Sequence, residues 1–373
     1  VAPRPAVRTP QPASPARELR PHVRDLSIGL PDPALLPPLG AAMLQVDVDA
    51  RLRLNGLESA DPKLLEIAAA SFGADGIPTA AVGVAAGAFD AIERVLQAHL
   101  RPGDRVIIED PVYASIRDLL LALGLVPVPV AVDELGLRPE PFEASLARGA
   151  EAVILVPRAQ NPLGAALDAE RESLLRNLLE PHGGVLLIED DHASIVSGVP
   201  CRTLVTPASQ RWAVIRSVSK VLHPDLRVAL MAGDETTIAR VEGRQALGPR
   251  WVSHVLQALV AELLSDPLFE DTAARACDTY AGRRQALLAA LAERGIAAYG
   301  RSGLNVWVPV REEAPVVAAL FERGWLVLAG ERFRIAAPPG VRITTATLDP
   351  DDATEIAEVV ATVEQAGRLR REY

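Results

Sequence analysis

Two apolar runs, each ending in a polar cluster, limit what this chain can fold into more than any other feature. VLLI at 185–188 runs into Glu189, Asp190 and Asp191, while WAVIRS at 212–217 runs into Val218, Ser219 and Lys220. Runs this short and this apolar read as buried strands of an α/β sheet, where reactive side chains collect at the carboxyl ends of parallel strands. Asp190 and Lys220 are therefore expected to share one crevice. Strand ends on a surface also carry Asp and Lys routinely, so the pair gains weight only from its neighbours.

A lysine in such a crevice can condense with a carbonyl, and a carboxylate can hold positive charge on a heteroaromatic nitrogen. Together they are what a pyridoxal 5'-phosphate site needs, and other stretches suit the same ligand. A helix is expected to begin near Gly87 behind the small residues Ala85 and Ala86, with Ala88 in its first turn. Side chains that small let a phosphate reach free amide groups, although close packing explains them equally well. Tyr113 follows the strand-like RVIIE at 105–109 and is either a ring-stacking residue or an ordinary rim tyrosine. Asn161, in the turn after VILVP, either donates its amide to a ring oxygen or simply forms the turn.

The stretch around Lys220 is more specific. Ser217 and Ser219 precede the lysine, and Arg227 stands just before the apolar run VALMA at 228–232. A hydroxyl and a guanidinium fork match a doubly charged phosphate. Further on, the strand-like segments LNVWVPV, WLVLAG, RFRIA at 332–336 and VRITTATL indicate a smaller α/β unit. Arg342 and Arg334 are the candidates there for a substrate carboxylate, with an exposed strand charge as the alternative for each.

At 373 residues, the chain suits one large α/β domain with a smaller one. Residues 1–24 hold six prolines and five arginines against Glu18 alone, and are expected to form a linker or arm. A chain that opens on Val1 and such a stretch is expected to carry either a polar tail or a linker from a neighbouring domain that is missing. Net charge of −10 disfavours nucleic acid as a partner of this chain itself. No 18-residue apolar run or secretory signal stands out, and Cys201 and Cys277 form no motif, so a cytoplasmic protein with no membrane contact is expected. Neither metal-ligand spacing nor a dinucleotide fingerprint is present, so no metal is assigned.

The motifs DLSIGLPDPALLPPL, EDPVY, PRAQNPLG, IEDDHAS, SVSKVLHPDLR and PPGVRITTATL stand in the order of the fold-type I pyridoxal phosphate enzymes, the aspartate aminotransferase superfamily. From about residue 25 onward the chain resembles that superfamily, and within it the aminotransferase-like domain of MocR/PdxR-type GntR-family regulators. The resemblance implies a mostly parallel seven-stranded sheet flanked by helices in a large domain at 51–275, a small C-terminal α/β domain at 276–373, and a segment at 25–50 packing on the latter. It implies that Lys220 carries the cofactor as an aldimine, that Asp190 pairs with the ring nitrogen, that Asn161 meets the ring oxygen and that Tyr113 stacks on the ring. Ala86, Gly87, Ala88, Ser217, Ser219 and Arg227 would surround the phosphate, and Arg342 would take the substrate carboxylate. A homodimer with sites near its interface also follows, as does an N-terminal DNA-binding domain in the regulator class.

Three positions depart from that pattern. His192 stands where relatives often place a tyrosine at the ring oxygen, Asn55 where many have a tyrosine reaching the partner's phosphate, and Ala86 lacks a hydroxyl. Each leaves cofactor binding intact as an expectation and puts efficient turnover in question. The reading is an effector-sensing domain that binds a small amino acid. The alternative is a stand-alone aminotransferase moving an amino group from an α-amino acid to a 2-oxo acid. A third and blander reading is a relative of the fold that binds nothing covalently.

Overall fold

A computed structural model describes residues 23–49 and 59–369. Asn55 and all of the proline-rich start except Val23 and Arg24 lie outside the described residues. The strands are β1 (Arg24–Asp25), β2 (Ala81–Ala85), β3 (Arg105–Asp110), β4 (Val126–Asp133), β5 (Gly136–Leu137), β6 (Ala152–Leu155), β7 (Leu186–Asp191), β8 (Trp212–Ser217), β9 (Ala229–Gly233), β10 (Asn305–Pro309), β11 (Trp325–Leu326), β12 (Leu328–Ala329) and β13 (Gly340–Thr344).

The large sheet runs β2-β9-β8-β7-β6-β3-β4-β5. From β8 to β4 the neighbours are parallel; β9 runs against both β8 and β2, and the two-residue β5 folds back on β4. Seven strands of four residues or more therefore form the expected mostly parallel sheet, and β5 adds a short return at its edge. Strand alternation splits the apolar residues between two cores. Ile107, Val153, Leu187 and Val214 face one, with Phe72 and Phe142 of its covering helices. Ile108, Ile154, Ile188 and Ile215 face the other, under Ile92 and Leu96. Both faces are covered, which is why these strands read as unbroken apolar runs.

The C-terminal lobe has its own core, in which Val306, Val308 and Ile343 meet Leu320, Ile356 and Val360. Its sheet runs β10-β13-β12, all antiparallel. The helix Phe269–Glu293 joins the lobes, with Ala276 and Tyr280 in the large core and Leu287 and Leu291 in the small one. The N-terminal segment also divides. β1 pairs with β11 and Leu26 enters the small core, whereas Leu35, Leu39 and Val46 pack against the large one.

RFRIA at 332–336 is not a strand. A 3-10 turn ends at Arg332, and the backbone beyond it has no ladder partner. The N–H groups of Ile335, Ala336 and Ala337 go instead to the carboxylate of Asp110, which an alternating apolar pattern cannot foretell. No helix among the described residues is long and apolar enough to cross a membrane.

Candidate functional site

The carboxyl ends of β3, β6, β7 and β8 open on one side of the large sheet. Asp190 and Asp191 end β7, and alternation sends them to opposite faces. Asp190 sits opposite Ile215 of β8, five residues before Lys220. Its carboxylate is buried, and Oδ1 has no hydrogen-bond partner among the described residues. Burial, then the neighbouring Asp191 charge, push this carboxyl up to about 7 against the pull of Lys220.

Lys220 Nζ donates to the carbonyl of Gly29 from the N-terminal segment. Burial and then the Arg342 charge bring the amine down to about 8, with Asp190 opposing. An amine with that value is half uncharged at about pH 8, far more than an ordinary lysine, and the uncharged form is the one that attacks carbonyls. His192 presents two buried ring nitrogens without partners, and burial followed by the Lys220 charge lowers it to about 4.

Arg342, on β13, reaches the same crevice from the small lobe. Its Nη1 donates to Asn161 Oδ1 at 3.1 Å, and Nη2 donates to the carbonyl of Ser27. The guanidinium lies 4.9 Å from the Phe333 ring centroid, and its Nε is buried without a partner. Gly29 thus lies against both Lys220 and Arg342, the latter with Nη1 3.7 Å from where a Cβ would be. Arg334 does not join them. It pairs with Glu313 at 2.8 Å, which takes it out of contention for a substrate carboxylate.

A second cluster forms where the helix Ala88–His99 begins. Gly87 caps it at φ 99°, with no side chain capping the free N–H groups. The Arg227 guanidinium lies against Gly87 where a Cβ would otherwise be, and no described residue pairs with that guanidinium. Ala88 opens the helix, while the Ala86 N–H donates to Asp90, whose charge Arg94 balances at 2.7 Å. Ser217 Oγ and Ser219 Oγ lie 2.9 Å apart. Tyr113, 41% exposed, meets Phe89 edge-on with centroids 5.8 Å apart, on the side of the Gly87 turn.

Sequence reasoning missed what lies beneath. Asp191 accepts from Arg158 through Nε at 2.7 Å and Nη2 at 2.8 Å, and from Arg216 Nε at 2.9 Å. Arg216 continues to Asp75 at 2.5 Å and Ser71 Oγ at 2.6 Å. Burial would raise Asp191, but the bonds and charges of the two arginines outweigh it and hold the carboxyl at about 2. The loop carrying Asn161, the strand carrying Asp190 and the strand leading to Lys220 are thereby tied together. Arg216 inside the apolar run WAVIRS was the one available signal, since a charge buried in a central strand needs a partner. Gln160, also missed, fastens the same loop by donating to Glu109 at 3.1 Å and to the carbonyl of Pro111 at 2.8 Å.

Among the described residues the crevice thus leaves three kinds of group without protein partners: a buried acceptor at Asp190, an imidazole at His192, and guanidinium donors at Arg227 and at Nε of Arg342. That set fits pyridoxal phosphate, which carries a basic ring nitrogen, a ring oxygen and a phosphate. Any ligand that left Asp190 unbonded would leave a buried carboxylate uncompensated.

The family described as aminotransferase class I and II matches residues 24–360. The vitamin B6 salvage pathway transcriptional repressor PtsJ of Salmonella typhimurium is 41% identical over 351 residues, covering 93% of this chain and 80% of the repressor. The mitochondrial kynurenine/alpha-aminoadipate aminotransferase of Bos taurus is 25% identical over 249 residues, covering 61% of this chain and 59% of the enzyme. Among solved structures, Pyrococcus horikoshii kynurenine aminotransferase superposes with a TM-score of 0.83 at 21% identity, over 93% of this chain and 91% of that one.

Proposed function

The chain belongs to the aminotransferase class I and II family, and on that footing we propose that its crevice binds pyridoxal 5'-phosphate at Lys220 and takes up an α-amino acid as the effector-sensing domain of a GntR/MocR-type regulator. The observation that carries this reading is the buried Oδ1 of Asp190, without a partner among the described residues and within reach of the charge of Lys220, whose amine is lowered to about 8.

Pyridoxal phosphate, when bound, supplies an aldehyde that captures amines and a ring that withdraws electrons from the α-carbon. The chain's part is to hold and to orient. Asp190 would keep a proton on the ring nitrogen, and His192 would face the ring oxygen in its neutral form. Arg227, Ser217 and the free amides after Gly87 would hold the phosphate. Arg342 would grip the amino acid's carboxylate with a fork that Asn161 and the Ser27 carbonyl already orient. The Lys220 amine is the group that would take and return the α-carbon proton if the domain turns substrate over.

Two observations favour a sensor. Identity to the repressor is higher, and spans more of the relative, than identity to the enzyme. His192 also brings a ring of low basicity where a tyrosine would supply a phenol. A net charge of −10 disfavours DNA contact by this chain itself and so suits a regulator that meets DNA through another part. The second reading, a working aminotransferase in a homodimer, is favoured by the retention of Lys220, Asp190 and Arg342 in one crevice.

Absorbance of the protein reconstituted with pyridoxal phosphate is the test. A band of the lysine-bound cofactor in the wild type, absent from folded Lys220→Ala protein, is expected; the same band in both would overturn the assignment. Addition of amino acids with assay of keto acid then separates the two readings. A spectral change without product is the sensor's outcome, and stoichiometric product is the enzyme's.

A further inference from the structure

Asp110 is the last residue of β3, at the end of the large sheet and three residues before Tyr113. Its buried carboxylate does not point to another charge. Oδ1 accepts from Ile335 N at 2.8 Å, and Oδ2 accepts from Ala336 N at 2.7 Å and Ala337 N at 2.8 Å. Three consecutive backbone N–H groups thus converge on one carboxylate, a small anion-holding nest whose anion belongs to the other lobe. These three residues lie between β12 and β13, and the carboxylate is the one partner found for their N–H groups among the described residues.

A second bond runs alongside. Val112 N donates to the carbonyl of Phe333 at 2.8 Å, so the large lobe holds the strap at both Phe333 and 335–337. Within its own lobe the strap is anchored by Glu313, which accepts from Glu331 N at 2.7 Å and from Arg334. The Phe333 ring in turn stacks on the Arg342 guanidinium at 4.9 Å and meets Trp307 edge-on at 6.3 Å. A chain of contacts therefore leads from Asp110 through the strap and Phe333 to the fork aimed at a substrate carboxylate.

We propose that Asp110 is a positioning residue: by latching the strap at 333–337 to the end of β3, it fixes Phe333 and so holds Arg342 where it can take a carboxylate. The latch rests on the proposed function for its consequence, though not for its existence. It acts across the lobe boundary, so the carboxylate subsite is complete only while the two lobes are joined there. Binding of the ring and phosphate, which involves Lys220, Asp190 and Arg227 on the large lobe, does not depend on it.

Wild type, Asp110→Asn and Asp110→Ala, each loaded with pyridoxal phosphate, are titrated by absorbance with L-alanine and with ethylamine, its carboxylate-free counterpart. Cofactor affinity and ethylamine affinity are expected to hold, while the Ala variant weakens L-alanine about tenfold and the Asn variant less, as loss of a charge-assisted set of bonds implies. Equal weakening of both compounds would reduce Asp110 to a general structural role and overturn the proposal, as would no weakening of either. Amide exchange on the apoproteins gives an independent readout. Faster exchange at 335–337 in the Ala variant is expected, and unchanged exchange there refutes the latch. Wild-type protein that takes up no pyridoxal phosphate defeats the proposed function, and amide exchange then decides the latch alone.

Discussion

The Arg158 guanidinium holds both oxygens of Asp191, with Nε 2.7 Å from one and Nη2 2.8 Å from the other, and neither side chain is more than 5% exposed. A pair this dry is costly to break from one side, because the survivor stays buried and charged. Replacing Arg158 by Met is expected to destabilise the fold by about 3 kcal/mol, less than complete loss of partners since Arg216 remains. The depressed Asp191 carboxyl also sets a sign. Its contribution is present above the unfolded value near 4 and is lost as pH falls towards about 2, so the variant's acid unfolding should begin at higher pH. Urea unfolding at several pH values checks both; an unchanged midpoint would mean that the clamp is idle.

Lys220 gives a second pH dependence of the same sign but the opposite cause, since here burial disfavours the charged form. Its folded value near 8 lies below the unfolded value of about 10.4, so the unfolded chain binds more protons between those limits and apoprotein stability rises with pH across that window. The rate at which apoprotein captures pyridoxal phosphate should climb about tenfold per pH unit and level off above about 8, because only the free amine attacks. Arg342→Met removes a repelling charge and should move the plateau to higher pH. Stopped-flow absorbance reads the profile, and a flat rate between pH 6 and 8 on the order of the plateau value would exclude an amine held at that pKa.

The sheet was legible because both its faces are covered, so that runs such as VILVP and WAVIRS stand out against turn residues. The candidate site was legible wherever a reactive side chain ends or closely follows such a run, as Asp190, Ser217 and Lys220 do. Asp110 and Arg158 were not, since each acts on a partner far away in sequence: Asp110 on 335–337, and Arg158 on Asp191. The same distance effect explains RFRIA. Its alternation is that of a strand, but Phe333 and Arg334 turn their N–H groups back to the Gly330 carbonyl, and Ile335 and Ala336 give theirs to Asp110 in the other lobe. The residues alone left Arg334 and Arg342 both as candidates and the resemblance chose Arg342; the structure sets Glu313 beside the first and Asn161 beside the second.

Asp190 shows a site held at the expense of stability. Its folded value near 7 lies above the unfolded value near 4, so the folded state binds the extra proton and apoprotein stability falls as pH rises through that interval. Asp190→Asn removes the buried charge and should stabilise the apoprotein at pH 8 by roughly 1–3 kcal/mol. The same change should weaken retention of pyridoxal phosphate, since an amide cannot balance a protonated ring nitrogen. Thermal unfolding with and without cofactor tests the two halves together, and a variant less stable than wild type at pH 8 without cofactor would contradict the assigned cause.

The phosphate end can be tested without touching the ring end. Gly87 has φ 99°, and a Cβ there would run into the Arg227 guanidinium, so Gly87→Ala meets both backbone strain and a displaced arginine. With ψ 165° this is a region kept almost wholly by glycine, and the strain costs about 1–3 kcal/mol of fold stability. The displacement has a separate signature, because it should weaken pyridoxal phosphate while leaving pyridoxal, which has no phosphate, nearly unaffected. Arg227→Met isolates the second effect, since the residue is exposed and pairs with no described residue, so its loss should scarcely alter the fold. Both variants are expected to narrow the preference for the phosphorylated ligand, the glycine variant with a lowered melting temperature and the arginine variant without. Equal loss of affinity for both ligands in Arg227→Met would place this guanidinium somewhere other than the phosphate.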